Sequence, residues 1–158
     1  MAYHSTQEVL DAIHGQVEKT LGDAVDAVVQ FHGTLDQAID YHFAQSAGTN
    51  IHTVVVIGIA DGNAGVVTGS GIPLYMEELV DIHVVSRGRR GDYKGMSSRL
   101  IEIADALTFD LFDQDNKHQD VLDRVAAHNF VSRRARPTND PNAMAFLVTW
   151  NIKPRRAD

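Results

Sequence analysis

The sequence predicts an α+β fold, a mostly antiparallel sheet with helices packed on one face, in the order α-β-α-β-β-α-β-β. Three observations lead there. Residues 10–21 and 100–111 repeat their apolar side chains at three- and four-residue spacing, the stripe of an amphipathic helix. Residues 144–152 alternate cleanly with period two, the mark of a strand. Two further strands, 51–59 and 79–85, follow one another with no helix between them, which favours an antiparallel pair.

The elements can be justified in order. Ser5-Thr6-Gln7-Glu8 reads as a capping box, and Leu10, Ile13, Val17 and Leu21 follow on one helical face, with Gly22 as the stop. Val25, Ala27, Val29 and Phe31 then alternate as a strand. Gly33 breaks it, and Thr34 caps a second helix carrying Leu35, Ala38, Ile39, His42 and Phe43 to an end near Gly48. Ile51 to Ile59 is apolar on both faces, as a central strand is. Asp61-Gly62-Asn63 reads as a turn, and the Gly/Ser/Thr-rich stretch to Pro73 as an exposed loop. Val80, Ile82 and Val84 place one face of the next strand in the core. A basic, glycine-broken loop, 87–95, leads to a helix capped by Ser97 or Ser98, with Leu100, Ile103, Ala104, Leu107 and Leu111 inward. Asp113 to Asp120 reads as a polar loop, 121–136 as a strand, and Pro137 to Asn142 as a turn before the last strand. The expected organisation is a single α+β domain over 1–152 with a basic tail at 153–158.

Composition narrows the functional classes. With 158 residues, 44% of them hydrophobic and 22% charged, the chain is long enough to bury roughly 70% of its unfolded surface without a staple. It contains no cysteine, which excludes disulfides, iron–sulfur clusters and thiol nucleophiles. The longest apolar run, Val54 to Ala60, falls far short of the ~20 residues that span a bilayer. The first six residues lack a basic start and an apolar stretch, so a soluble domain without a signal peptide is expected.

The net charge of −7 is unevenly placed. Residues 1–86 hold eleven acidic side chains and one cation, Lys19, whereas residues 87–158 hold thirteen cations and ten acidic side chains. Such asymmetry suits oppositely charged surfaces and head-to-tail stacking. The overall acidity argues against sequence-specific DNA binding.

No motif for chemistry completes itself. The eight histidines show no metal-ligand spacing, and scattered surface histidines are the simpler account. Asp113 to His118 begins like a calcium loop, but His118 stands where glycine makes the turn and Arg124 where a bidentate glutamate belongs. Around Gly91 to Ser98, Lys94 is two residues too far from Ser97 for a phosphate loop. Thr68 replaces the first glycine of a nucleophile elbow around Ser70. Glu77 and Glu78, adjacent on a strand, point to opposite faces. The expectation is a protein that is not an enzyme and has no catalytic, metal or cofactor site. What remains are surfaces: Arg87, Arg89, Arg90, Tyr93 and Lys94 in one loop, and Arg133, Arg134 and Arg136 in a second cluster, as a subunit or partner contact.

In its order of elements the chain resembles the tail terminator, or tail-completion, proteins of long-tailed bacteriophages. The resemblance runs through the N-terminal amphipathic helix and strand, the strand Glu78 to Ser86, and the basic Gly-rich loop. It continues through the helix with Ile103-Ala104-Asp105-Ala106-Leu107, the arginine-bearing strand, and the terminal Phe146-Leu147-Val148-Thr149-Trp150 strand. It implies a non-enzymatic virion subunit, made in the host cytoplasm. Such subunits form a homo-hexameric ring that caps the tail tube and joins it to the neck or connector protein, touching the sheath in contractile tails. Genome DNA passes through the centre without sequence-specific binding. Two alternatives are a head–tail connector or neck-completion protein and, in another class, a small α+β enzyme or ligand-binding domain using the glycine-rich loops near Ser70 or Ser97.

Overall fold

Ser5 opens the first helix as its spacing requires. Its hydroxyl accepts the Glu8 N–H at 3.2 Å and the Glu8 carboxylate accepts the Ser5 N–H at 2.7 Å, a bond that also holds the Glu8 carboxyl below its ordinary pKa. The computed structural model describes residues 2–31, 33–43, 52–88 and 93–157. Helix α1 spans Thr6–Leu21 and ends at Gly22, whose φ of +50° is one that side chains seldom adopt. Ser5→Ala is expected to cost about 1 kcal/mol. Thermal unfolding should then occur about 2–4 °C lower, and an unchanged midpoint would show that the box contributes nothing.

Strand β1 is Ala27–Gln30 and helix α2 Leu35–Phe43. Thr34 caps α2 as expected, accepting the Gln37 N–H at 3.2 Å while the Gln37 side chain accepts the Thr34 N–H at 3.0 Å. The expected helix end near Gly48 lies outside the described residues. Strands β2 (His52–Ala64) and β3 (Met76–Arg87) follow, then helix α3 (Tyr93–Asp105), which widens into a π-helical turn at Ala106–Asp110. The short helix α4 (Gln119–Arg124) runs directly into β4 (Val125–Arg136), and β5 (Ala143–Pro154) completes the set.

Among the described residues, five strands form one sheet in the order β1-β2-β3-β5-β4. Only β1 and β2 are parallel, pairing Ala27 with Val54 and Gln30 with Ile57; the other pairs are antiparallel. The α+β class and the mostly antiparallel sheet are as the sequence predicts. Helices α1, α3 and α4 share one face, where Leu10, Ile13, Val17, Leu100, Leu107 and Leu111 meet Val55, Ile57, Ile82, Val84, Val148 and Ile152. Helix α2 takes the other face, a refinement of the single-face expectation. Parallel neighbours need a crossover that leaves the plane of the sheet. In α2, Ala38 and Ile39 cover Val54, Val56, Val85 and Ala145, the residues that alternate with the main core.

Four local expectations change. Residues 121–124, expected to open a strand, instead belong to helix α4, which buries Val121 in the main core, and β4 starts only at Val125. Asp61-Gly62-Asn63 is not a turn, because β2 continues through it against Glu77, Glu78 and Leu79 after a bulge at Ala60. Gly62 serves close approach: a Cβ there would meet the Glu78 carboxylate at 2.7 Å, and Glu78 is buried with the Thr6 hydroxyl donating to it at 2.7 Å. Ser97 and Ser98 do not cap α3, which starts a turn earlier at Tyr93 and so buries Met96 completely. The stretch read as an exposed loop is a narrow antiparallel ribbon, with Leu74 N–H donating to Val66 O at 2.7 Å and Thr68 N–H to Ile72 O at 2.9 Å.

At the C-terminus, Lys153 and Pro154 are the last residues of β5. Arg155 N–H donates to Arg124 O at 2.8 Å, and Arg156 pairs with Tyr3. The two ends of the described chain therefore lie side by side.

Candidate subunit interface

Period-two alternation decides where the candidate arginines go. On β4, Arg133 lies opposite Val148 and Arg134 opposite Leu147, so neighbouring side chains leave opposite faces of the sheet. Arg133 turns to the main helical face, where it bonds the Asp105 carboxylate at the end of α3 and lies 5.9 Å from the centre of the Phe146 ring. Arg134 and Arg136 turn to the α2 face. Arg134 is exposed; Arg136 is half-buried, and its buried Nε has no hydrogen-bond partner among the described residues.

Arg87 ends β3 and pairs with Asp140 at 3.0 Å. It sits opposite Ala143, while Arg136 sits opposite Ala145, so both flank the start of β5 at one end of the sheet. Tyr93 and Lys94 open α3, with Lys94 exposed. Arg89 and Arg90 lie outside the described residues. The two basic clusters of the sequence thus approach through Arg87 and Arg136, and Arg133 is drawn away into a pair with Asp105.

The topology also converts the charge asymmetry along the chain into one across the sheet. Strands from the acidic half, β1 and β2, occupy one side, and β4 with its arginines forms the other edge. Beside β1, Asp11 accepts the Gln30 amide at 2.9 Å, and that bond, followed by one from Gln7, holds the Asp11 carboxyl below its ordinary pKa.

Sequence reasoning missed two apolar surfaces. The ribbon between β2 and β3 exposes Val66, Val67, Ile72 and Leu74, with Ile72 63% exposed. Its turn uses Gly71 at φ +81°. Near the β4 edge, Phe109 is 72% exposed on the π-helical turn and lines a groove with Phe130, and Val131, next to Phe130 in sequence, is exposed as well. Phe109, Phe130, Thr108 and Arg133 line an open groove of about 750 Å³. Clustered exposed side chains of this size mark contact sites more often than scattered ones do. The signal available in sequence was a run free of charge from Gly65 to Tyr75, which glycine content disguised as an ordinary loop.

A cleft that pairs a histidine with a carboxylate lies against α2. It has a volume of about 250 Å³ and is lined by Phe31, Thr34, Val56, Gly58, Asp81 and His83. The Thr149 hydroxyl donates to the Asp81 carboxylate at 2.8 Å. Burial lowers the His83 pKa below 6.5; Asp81 pulls it back up, while Arg136 and Arg134 push it further down. His128, stacked on Phe112 at 4.3 Å, is also lowered, again chiefly by burial. Among the described residues, no three histidine or acidic side chains stand where they could hold a metal ion.

These two histidines set a pH dependence. A histidine held neutral in the fold gains its proton first in the unfolded chain, so stability should fall as pH drops through about 6.5. The fall ends only below the folded pKa values. Urea midpoints at pH 7.5 and pH 5.5 measure it, and His83→Gln should reduce the difference. An undiminished difference in that variant would remove His83 from the account.

No protein-family model matches this chain, and no curated protein matches it. Among solved structures it is similar to a chain of a particle described as "Virion of native gene transfer agent (GTA) particle". The TM-score is 0.41 and the sequence identity 13%, with 92% of this chain and 92% of that chain covered.

Proposed function

We propose that this chain is a structural protein of a phage-type virion: a tail terminator whose copies close into a hexameric ring. The ring caps the tail tube and joins it to the neck protein. The observation that carries this reading is the presence of two unlike exposed apolar surfaces on one chain, the ribbon Gly65–Tyr75 and the groove beside β4. Unlike surfaces that complement each other make heterologous, head-to-tail contacts, and such contacts generate rings when the rotation closes. The resemblance in element order to tail terminators supports the same role.

The charge distribution fits that role. A basic edge on one subunit and an acidic side on the next attract each other and fix the direction of assembly. Acidic side chains around a central channel would let DNA pass without adhering, because phosphate contacts dominate DNA affinity. No step of this function requires a reaction, a metal or a cofactor.

Arg89 and Arg90, which follow β3 in sequence, belong to the proposed contact. The double change Arg89→Glu with Arg90→Glu is expected to leave the circular dichroism spectrum and melting temperature unchanged while impairing ring formation and virion yield. Normal rings and normal yield in that variant would remove Arg89 and Arg90 from the contact.

A further inference from the structure

We infer that the ribbon of one copy, Gly65–Tyr75, seats as an added antiparallel strand on the outer edge of β4 in the next copy, with Val67 and Ile72 against Phe109, Phe130 and Val131. The inference rests on the ring-forming function proposed above and names the contact that builds the ring.

β4 is the terminal strand of the sheet and is twelve residues long. A terminal strand presents a row of unpaired N–H and C=O groups, which an extended segment of another chain can satisfy. Natural edges of that length are usually blunted. This one has bulges and arginines, yet it still leaves Phe130 and Val131 exposed at a bulge, with Phe109 lining the same groove as Phe130. The result is an extended template bordered by an apolar groove.

The ribbon matches that template in shape and chemistry. Its backbone is already paired from Gly65 N–H to Tyr75 O at 3.0 Å through to Thr68 and Ile72, so little ordering remains to oppose binding. It carries no charge to be desolvated in the groove. Its base does carry charge: Asp61 is exposed on β2. An antiparallel seat with Val67 against Phe130 runs the Asp61 base of the ribbon toward the end of β4 that carries Arg134 and Arg136, past the bulge after Phe130. Arg134 is exposed and Arg136 half-buried there, so the acidic base meets a basic strand end.

The ribbon cannot take this seat in its own subunit. It leaves the sheet between β2 and β3, and β5 separates β3 from β4. Tyr75 anchors its base there, 4.7 Å from the Tyr3 ring and 5.1 Å from Lys153 Nζ. The seat therefore passes to a neighbour, and repetition gives a directional chain of subunits that closure turns into a ring.

Two surface variants test the contact in the full-length chain. Val67→Asp with Ile72→Asp blocks the ribbon; Phe109→Asp blocks the groove and, unlike a change at Phe130, touches no core aromatic ring. Each alone should fold normally by circular dichroism yet assemble roughly thirtyfold or more weakly, as loss of a contact's central apolar side chains does. Mixed in equal amounts, they should form a one-to-one dimer, since one intact ribbon and one intact groove remain. The absence of cysteine allows a second test: Val67→Cys and Phe109→Cys chains should cross-link to each other on oxidation. Variants that assemble like the wild type while the wild type forms rings would overturn this contact and leave the ring intact. Cross-linking of Val67→Cys chains only to themselves would overturn it in favour of a symmetric ribbon pair. A wild-type chain that stays monomeric would remove the ring and this contact together.

Discussion

Trp150→Ala is expected to lower stability by about 3–5 kcal/mol, the usual loss for a large buried aromatic, and the melting temperature by roughly 10–15 °C. Trp150 is nearly buried on β5, where its indole N–H donates to the Leu107 carbonyl of the π-helical turn at 3.1 Å. Phe112 meets it edge-on at 4.7 Å, and Phe130 does so at 5.6 Å. Removing it opens a cavity between helix and sheet, orphans a carbonyl and loosens the aromatic floor under the proposed groove. Trp150→Phe keeps most of the packing and loses the hydrogen bond, so it should cost about 1–2 kcal/mol. Because Trp150 is the only tryptophan, far-ultraviolet circular dichroism is the suitable probe. A melting temperature within 2 °C of the wild type for Trp150→Ala would contradict its placement in the core.

The second large effect belongs to Gln16. It is completely buried on α1, and its amide nitrogen donates to Leu111 O at 2.8 Å and Asn116 O at 2.9 Å. Its side-chain oxygen accepts the His118 N–H at 2.6 Å. One side chain thus satisfies three backbone groups in the connection from α3 to α4. Gln16→Leu preserves the volume and strands all three, at a cost of about 3 kcal/mol or more. The damage should be local as well as global, with the His118 amide losing protection against hydrogen exchange before the sheet does. Wild-type stability and unchanged protection at His118 would show that these bonds contribute nothing net.

Gln16 also shows where sequence reasoning stops. The stripe Leu10, Ile13, Val17 and Leu21 was legible because capping and periodicity agree over sixteen residues. A glutamine within that helix gave no sign of turning inward, since its partners lie about a hundred residues away. The central position of β2 was legible from its apolar residues on both faces. Which helix covers each face was not, because the alternation of Val54 and Val55 is silent about what lies above it. Gly62 looked like a turn residue because local propensity favours that reading, and only the approach of Glu78 explains it otherwise. The start of α3 was hidden because Gly95 and two serines imitate a cap, while burial of Met96 outweighs that local preference.

For the candidate site, residue type was legible and grouping was not. Arg133, Arg134 and Arg136 form one cluster in sequence, yet a strand must divide them between its faces. The fold pairs Arg133 with Asp105 and leaves Arg134 exposed. The apolar ribbon and groove carry more of the interface argument than the arginines do. Neither could be recognised before β4 was known to be an edge.

The central claim is that copies of this chain close into a ring at the end of a tail tube. Native mass spectrometry of the purified full-length chain, alone and with tail tubes, tests it most directly. Six copies in a closed assembly, forming in solution or on the tube end, is the predicted result. A chain that remains monomeric in both conditions, at concentrations well above those in an infected cell, would contradict it.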